Sequence, residues 1–108
     1  MQDLRGTEMS LSAADSEAIV IPLRPRRRAD VRTHVIDGET VVLDRREEFI
    51  HQFNKTASYI WERCDGMQTA AEISRDLCET FEVDAATAER DVAAVIERLC
   101  RARLLEGS

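Results

Sequence analysis

The sequence predicts an α+β fold, a winged helix-turn-helix in which a three-stranded antiparallel sheet precedes three helices. Apolar and polar residues alternate between residues 31 and 53, which is the period of strands. Apolar residues then recur every three or four positions as far as residue 105, which is the period of helices. An Asp-Gly pair at residues 65–66 divides this second half into a helix-turn-helix arrangement.

The first two predicted strands form a hairpin. Val31 and Val35 belong to an alternating run, and a second apolar run, TVVL, occupies residues 40–43. Asp37 and Gly38 stand between the runs, and this dipeptide is typical of a type I′ turn because both residues tolerate a positive φ. We therefore expect the two strands to pair antiparallel.

A third strand, FIHQF at residues 49–53, follows the polar turn DRREE at residues 44–48. Side chains of a strand point alternately to opposite faces of the sheet. One face therefore carries Phe49, His51 and Phe53, and the other carries Ile50 and Gln52.

The first predicted helix follows this strand directly. Asn54 can cap it, because an asparagine side chain accepts hydrogen bonds from unpaired backbone N–H groups. Its apolar stripe has helical spacing and consists of Ala57, Ile60, Trp61 and Cys64. Gly66 is expected to end the helix, since glycine adopts the left-handed conformation without a steric penalty.

Two further helices complete the domain. Thr69 and Glu72 have the spacing of a capping box, which predicts the start of the second helix. Its inward residues are Ile73, Leu77 and Phe81. The third helix begins after Asp84 and ends near residues 101–103, whose positive charges suit the C-terminal end of a helix. Its apolar residues at helical spacing are Ala88, Val92, Val95, Ile96 and Leu99.

The composition suits one soluble domain, with 108 residues of which 44% are apolar and 33% charged. Residues 1–30 show no sustained period, so we predict a flexible N-terminal arm, residues 1–30, and a folded domain, residues 31–108. Within the arm, RPRRR at residues 24–28 is either a solvated linker or a contact for phosphates or an acidic partner. With neither a secretory signal nor an apolar run of roughly 18 residues, the sequence predicts a cytoplasmic protein without membrane contact.

The residues that could carry catalysis form no recognisable motif. His34 and His51 lie on separate predicted strands, without a catalytic triad or a glycine-rich phosphate loop. Cys64, Cys78 and Cys100 include no Cys-x-x-Cys pair, and each falls where a small apolar residue would serve. We therefore expect no catalytic residue, no metal and no cofactor. A site built from the two histidines and a cysteine is the remaining metal alternative.

The distribution of charge disfavours nucleic acid. Residues 1–30 hold 5 basic and 5 acidic side chains of the chain's 15 and 21, which leaves 10 basic and 16 acidic in residues 31–108. DNA binding draws most of its affinity from Lys and Arg near phosphates, so the folded part is expected to repel DNA. A winged-helix DNA-binding regulator stays the alternative function because of the arginines at residues 24–28, and a structural module of a larger assembly is a third.

The chain resembles the pyrroloquinoline-quinone biosynthesis protein D (PqqD) family from residue 31 onward. The matching features run in order through all three helices. They are Phe53-Asn54 at the end of the third strand, Ala57, Ile60 and Trp61, the stop at Asp65-Gly66, Thr69, Glu72-Ile73, Phe81, Asp91-Val92 and the close at Leu99 and Leu104. The chain departs from the family pattern at Phe53, where leucine is usual, in the turn DRREE, and in its longer N-terminal arm.

This resemblance implies a non-catalytic peptide chaperone, also called a RiPP recognition element, for ribosomally made and post-translationally modified peptides. Such domains bind the leader segment of a precursor peptide and present it to a modifying enzyme, often a radical S-adenosylmethionine (SAM) protein, as in PQQ biosynthesis. An open sheet edge suits this role because an extended peptide can add to it as a further strand. The same edge could instead pair with a second copy, giving a homodimer, or with the arm.

The resemblance also implies where the peptide would lie, between the third strand and the third helix. The strand residues of this expected site are Phe49, Ile50, His51, Gln52 and Phe53. On the helix, the expected floor is Ala93, Ile96 and Cys100, and the expected rim is Arg90, Glu97 and Arg103. Core packing or solvated surface is the alternative role for each of them.

Overall fold

The computed structural model describes residues 21–106, and in them the predicted order of three strands and three helices is confirmed. The elements are β1 (Arg32–Ile36), β2 (Glu39–Asp44), β3 (Phe49–Phe53), α1 (Lys55–Arg63), α2 (Ala70–Phe81) and α3 (Ala85–Arg101). Within the described residues the sheet has the order β1-β2-β3, and both neighbouring pairs are antiparallel.

Both turns of the sheet have a local cause. Asp37 (φ 53°) and Gly38 (φ 80°) adopt the positive φ angles of the predicted type I′ turn. At the next turn, the Asp44 carboxylate accepts hydrogen bonds from the backbone N–H groups of Arg46 and Glu47, both at 3.2 Å. That carboxylate therefore fixes the chain reversal that brings β3 alongside β2.

Side-chain caps start all three helices. The Oδ1 atom of Asn54 accepts from the backbone of Ala57 at 2.8 Å, and Thr69 forms the predicted capping box with Glu72. An aspartate, Asp84, caps α3 in the same way. The first helix ends at Arg63, slightly before the predicted stop at Gly66, which instead lies in the following turn with a φ of 84°.

The core lies between the sheet and the three helices, and Trp61 is fully buried in it. The largest buried apolar side chains are Trp61, Phe53, Ile60, Ile73, Leu77, Ile96, Leu99, Leu104 and Leu105. None of the helices in residues 21–106 combines the length and the apolar composition that crossing a membrane would require.

Part of the predicted arm belongs to the folded domain, which corrects the expected boundary at residue 30. The N–H of Arg27 bonds to the carbonyl of Cys64 at 2.8 Å, and the N–H of Arg28 bonds to that of Leu104 at 2.9 Å. These carbonyls lie in the segments that directly follow α1 and α3. The segment before β1 is therefore held against the domain, while residues 1–20 lie outside the described range.

Candidate functional site

Strand β3 has an open edge in the described part of the chain. Its one neighbour there is β2, in the register Thr40↔Phe53 to Asp44↔Phe49. The Oγ atom of Ser58 bridges the two strands where they end, accepting from the N–H of Thr40 at 2.8 Å and donating to the carbonyl of Phe53 at 3.2 Å. The backbone of Phe53 therefore faces β2.

Backbone groups alternate in direction along a strand, so those of Ile50 and Gln52 face the open edge. One of them is occupied, because Nη2 of Arg98 donates to the carbonyl oxygen of Gln52 at 3.1 Å. Within residues 21–106, the N–H and C=O of Ile50 and the N–H of Gln52 pair with no further strand. Three backbone groups are thus available to an added strand.

A groove of about 740 Å³ lies beside this edge, between β3 and α3. Its strand side is formed by Glu47, Phe49 and His51, and its helix side by Ala94, Glu97, Arg98, Arg101, Ala102 and Arg103. The residues at positions 94, 97, 98 and 101 are spaced as one stripe along a helix. Ala94 and Ala102 have short side chains, which leaves space between the longer groups around them.

Four of the predicted site residues line the groove, namely Phe49, His51, Glu97 and Arg103. Phe49 is 59% exposed although it lies on the face of β3 that carries the buried residues. The side chains of Ile50 and Gln52 are exposed on the opposite face, and their backbone groups form the open edge. The predicted strand residues other than Phe53 thus lie in the groove or at the open edge.

The predicted places of Phe53 and Ile96 are corrected, because both side chains are completely buried in the core and do not line the groove. Cys100 was also expected in the floor of the groove, but it is buried in the same core cluster. The buried face of α3 consists of Ala88, Val92, Ile96, Leu99 and Cys100. This face differs from the predicted stripe in one residue, because Cys100 is buried and Val95 is only partly buried where α3 packs against α1 and α2.

Arg90 and Ala93 are exposed but do not line the groove. Three of the predicted residues, Ala93, Ile96 and Cys100, each lie one position before a residue that does line the groove, which corresponds to a rotation of about 100° around the helix. The residues that the sequence reasoning missed are Glu47, Ala94, Arg98, Arg101 and Ala102. The pair Arg98 and Arg101, on one face of a helix beside the edge strand, is the signal that could have found them.

His51 is a buried imidazole on the wall of the groove. It is 9% exposed, and its Nε2 atom has no hydrogen-bond partner within residues 21–106. Its ring lies 4.8 Å from the ring of Phe49 and 6.3 Å from the ring of Phe53. Burial lowers the pKa of His51 and the positive charge of Arg98 lowers it further, against a smaller opposing effect of Asp44, so the neutral ring is favoured.

Positive charge predominates in the groove, with three arginines and two glutamates in its lining. Glu97 is already paired with Arg101 at 3.1 Å. The guanidinium carbon of Arg98 lies 4.6 Å from the centre of the Phe53 ring, which is the geometry of a cation–π contact. In residues 21–106, neither Arg98 nor Arg103 has a carboxylate within salt-bridge distance.

The buried Arg28 connects the two walls at one end of the groove. It donates through Nη1 to Oδ2 of Asp44 and to the backbone carbonyl of Arg103, both at 2.8 Å. Asp44 in turn holds the backbone of Glu47, which belongs to the strand wall. The hydrogen bond from Arg28 holds the pKa of Asp44 below its usual range despite the burial of both groups.

The sequence pattern of one family matches residues 39–105, and that family is described as coenzyme PQQ synthesis protein D (PqqD). No match to the chain was found among curated proteins. Solved structures extend the comparison. The chain is similar to TbiB1, solved in complex with the TbiA(beta) leader peptide, with 28% identity and a TM-score of 0.68 over 77% of this chain and 96% of that chain.

Two more solved structures are similar over most of their length. One is lasso peptide synthetase B1 complexed with the leader peptide, with 29% identity, a TM-score of 0.64 and coverage of 76% of this chain and 95% of that chain. The other is the solution NMR structure of the PqqD truncation of Methylobacterium extorquens PqqCD, described as a functional and stand-alone RiPP recognition element. It shows 26% identity and a TM-score of 0.63 over 76% of this chain and 87% of that chain.

Proposed function

The chain belongs to the coenzyme PQQ synthesis protein D (PqqD) family, and from this premise we propose that it is a RiPP recognition element. In this role it binds the leader segment of a ribosomally made precursor peptide and presents that peptide to a modifying enzyme. Two of the similar structures were solved with a leader peptide, and the third is itself described as a recognition element.

The open edge of β3 beside the groove is the observation that carries this proposal. A guest strand can form main-chain hydrogen bonds with the free backbone groups of Ile50 and Gln52. Because the side chains of a strand alternate, every second guest side chain then enters the groove between β3 and α3. Main-chain bonds supply affinity in this arrangement, and the groove supplies specificity.

Individual residues of the site have distinct proposed roles. Phe49 offers an exposed aromatic surface inside the groove, and the exposed side chain of Ile50 contacts the guest on the opposite face of the sheet. Burial of an apolar side chain of this size contributes about 1.5–3 kcal/mol when it is complete. These two side chains are therefore the main apolar contacts that we assign to the guest.

We assign no catalytic step to the chain itself, so the chemistry belongs to the partner enzyme. A radical SAM enzyme of peptide modification is the partner class that the resemblance to the PqqD family suggests. The free protein then acts as a carrier, whose contribution is to hold the leader segment extended while the remainder of the precursor reaches the active site of its partner.

The binding mode can be tested without knowledge of the natural precursor. Random peptides of about 12 residues, long enough to add one strand, are displayed on phage and selected on the immobilised protein. Each enriched peptide is then added to ¹⁵N-labelled protein. We define an edge-binding peptide as one that shifts the amide signals of Ile50 and Gln52 more than those of Thr33 and Val35.

The outer side of β1 is an internal control. Its backbone groups also pair with no other strand in residues 21–106, but β1 does not border the groove between β3 and α3. We expect edge-binding peptides to dominate the selection. Enriched peptides that shift only β1 signals, or the absence of any enriched peptide, would contradict the proposed binding mode.

A further inference from the structure

The groove contains charged and polar groups that the proposed function does not yet use. An added strand needs main-chain bonds and apolar contacts, which Ile50, Gln52 and Phe49 supply. The guanidinium groups of Arg98 and Arg103 remain without a role in that binding mode. Neither has a carboxylate partner within residues 21–106, so both can bind a negatively charged group of a guest.

Arg98 and His51 lie against the same aromatic ring. The guanidinium carbon of Arg98 is 4.6 Å from the centre of the Phe53 ring, and the His51 ring is 6.3 Å from it. A guanidinium has five N–H donors. On Arg98, one of these donors binds the carbonyl oxygen of Gln52. The remaining donors and the imidazole thus border one part of the groove.

We propose that the groove selects guest peptides with a carboxylate side chain, aspartate or glutamate, which the guanidinium of Arg98 binds. This inference rests on the proposed function, because the carboxylate arrives on the strand added to β3. The planar guanidinium can bind both oxygens of a carboxylate through two parallel hydrogen bonds, which are stronger than hydrogen bonds between neutral groups.

The neighbouring charges favour a carboxylate over an ammonium group at this position. Glu97 is neutralised by Arg101, whereas Arg98 and Arg103 have no carboxylate partner in residues 21–106. The chain as a whole has a net charge of -6, so the arginines of the groove attract an acidic guest only at short range. At physiological salt, charges act over about 8 Å, and a contact of this kind is short-ranged.

The phage selection tests this inference when it is run on three proteins. These are the wild type, Arg98→Gln, which removes the positive charge and keeps a polar side chain, and Arg90→Gln as a control. Arg90 lies on the same helix, exposed and outside the groove lining. The displayed peptides are joined to the coat protein at their C-terminus, so any selected carboxylate belongs to a side chain.

We expect the wild type and Arg90→Gln to enrich Asp or Glu at one fixed position of the edge-binding peptides. Changing that residue to Asn or Gln is expected to weaken binding about tenfold in the wild type and less than about twofold in Arg98→Gln. Edge-binding peptides without an acidic position would overturn the inference and leave the proposed function standing. The absence of edge-binding peptides would overturn both.

Discussion

Arg98 of α3 donates a hydrogen bond to the backbone carbonyl of Gln52 at 3.1 Å, on the open edge of β3. This contact ties the last helix to the margin of the sheet and occupies one of the groups that an added strand would use. The other N–H donors of the same guanidinium remain for a guest side chain, so Arg98 lies where the added strand and its side chains would meet.

Ile50→Pro tests the main-chain bonds of the edge. Proline removes the N–H that faces the open side of β3, and an outer strand tolerates this because no bond to β2 is lost. We expect the affinity for edge-binding peptides, measured by titration calorimetry, to fall at least about tenfold.

The matched control for that change is Thr33→Pro, which removes an N–H from the outer side of β1. Both variants are expected to lose a similar amount of thermal stability, and only the β3 variant is expected to lose peptide affinity. Equal loss of affinity in the two variants would show that the peptide does not add to β3.

Ile96→Ala and Trp61→Ala test the corrected position of the core. Both side chains are completely or almost completely buried, so truncation leaves a cavity and lowers the free energy of unfolding by about 2–5 kcal/mol. Urea unfolding followed by circular dichroism measures this loss. Met67→Ala, at a position 74% exposed, is the control and is expected to have almost no effect. Native stability in the Ile96 variant would place that residue at the surface.

The pair Arg28 and Asp44 makes stability depend on pH in the acid range. The pKa of Asp44 in the folded protein lies below its ordinary value of 3.8, chiefly because Arg28 donates to it. The unfolded state therefore binds a proton first as the pH falls. The stabilisation is complete above the unfolded pKa and is lost as the pH drops through the lower folded pKa.

Arg28→Met is expected to destabilise the domain by about 3–5 kcal/mol at neutral pH, because it leaves a buried carboxylate without its partner. Asp30→Asn removes a partner that is 55% exposed and serves as the milder control. Unfolding titrations between about pH 2 and pH 7 compare the two. A variant at Arg28 that matches the stability of the wild type would contradict the assigned ion pair.

His51 is expected to make the binding of an acidic guest dependent on pH. In the free protein its pKa lies below 6.5, because it is buried and lies near the positive charge of Arg98. A guest carboxylate offsets that charge and raises the pKa of His51 in the complex. Affinity is therefore expected to increase as the pH falls from about 7 to about 5, where the guest carboxylate is still ionised.

Two charged groups shift the pKa of His51, namely Arg98 on α3 and Asp44 on β2. The other charged residues that line the groove are Glu47, Glu97, Arg101 and Arg103. Titration calorimetry in two buffers of different ionisation enthalpy measures the protons taken up. His51→Gln is expected to remove this uptake. Uptake that persists in the variant would assign the proton to another group.

Local signals in the sequence were sufficient for the fold. The turn at Asp37 and Gly38 and the capping box of Thr69 and Glu72 each depend on residues no more than three positions apart, so one segment contains the whole cause. The strand side of the groove followed from the same reasoning, because alternation placed Phe49 and His51 on one face.

The helix half and the N-terminal boundary depend on distant contacts. The face of α3 that is buried is decided by its packing against α1 and α2, so periodicity alone did not distinguish Ile96 in the core from Arg98 in the groove. Arg28 bonds to Asp44, 16 positions away, and to Arg103, 75 positions away. No local pattern in a run of arginines contains that information.

Hydrogen exchange at the amides of Ile50 and Gln52 tests strand addition most directly. In the free protein both N–H groups face the open edge, and we expect them to exchange quickly with solvent. Saturation with an edge-binding peptide is expected to slow both amides by about 100-fold or more, while Thr33 and Val35 on the outer side of β1 stay unchanged. Unchanged exchange at Ile50 and Gln52 in the saturated complex would contradict the addition of a strand to β3.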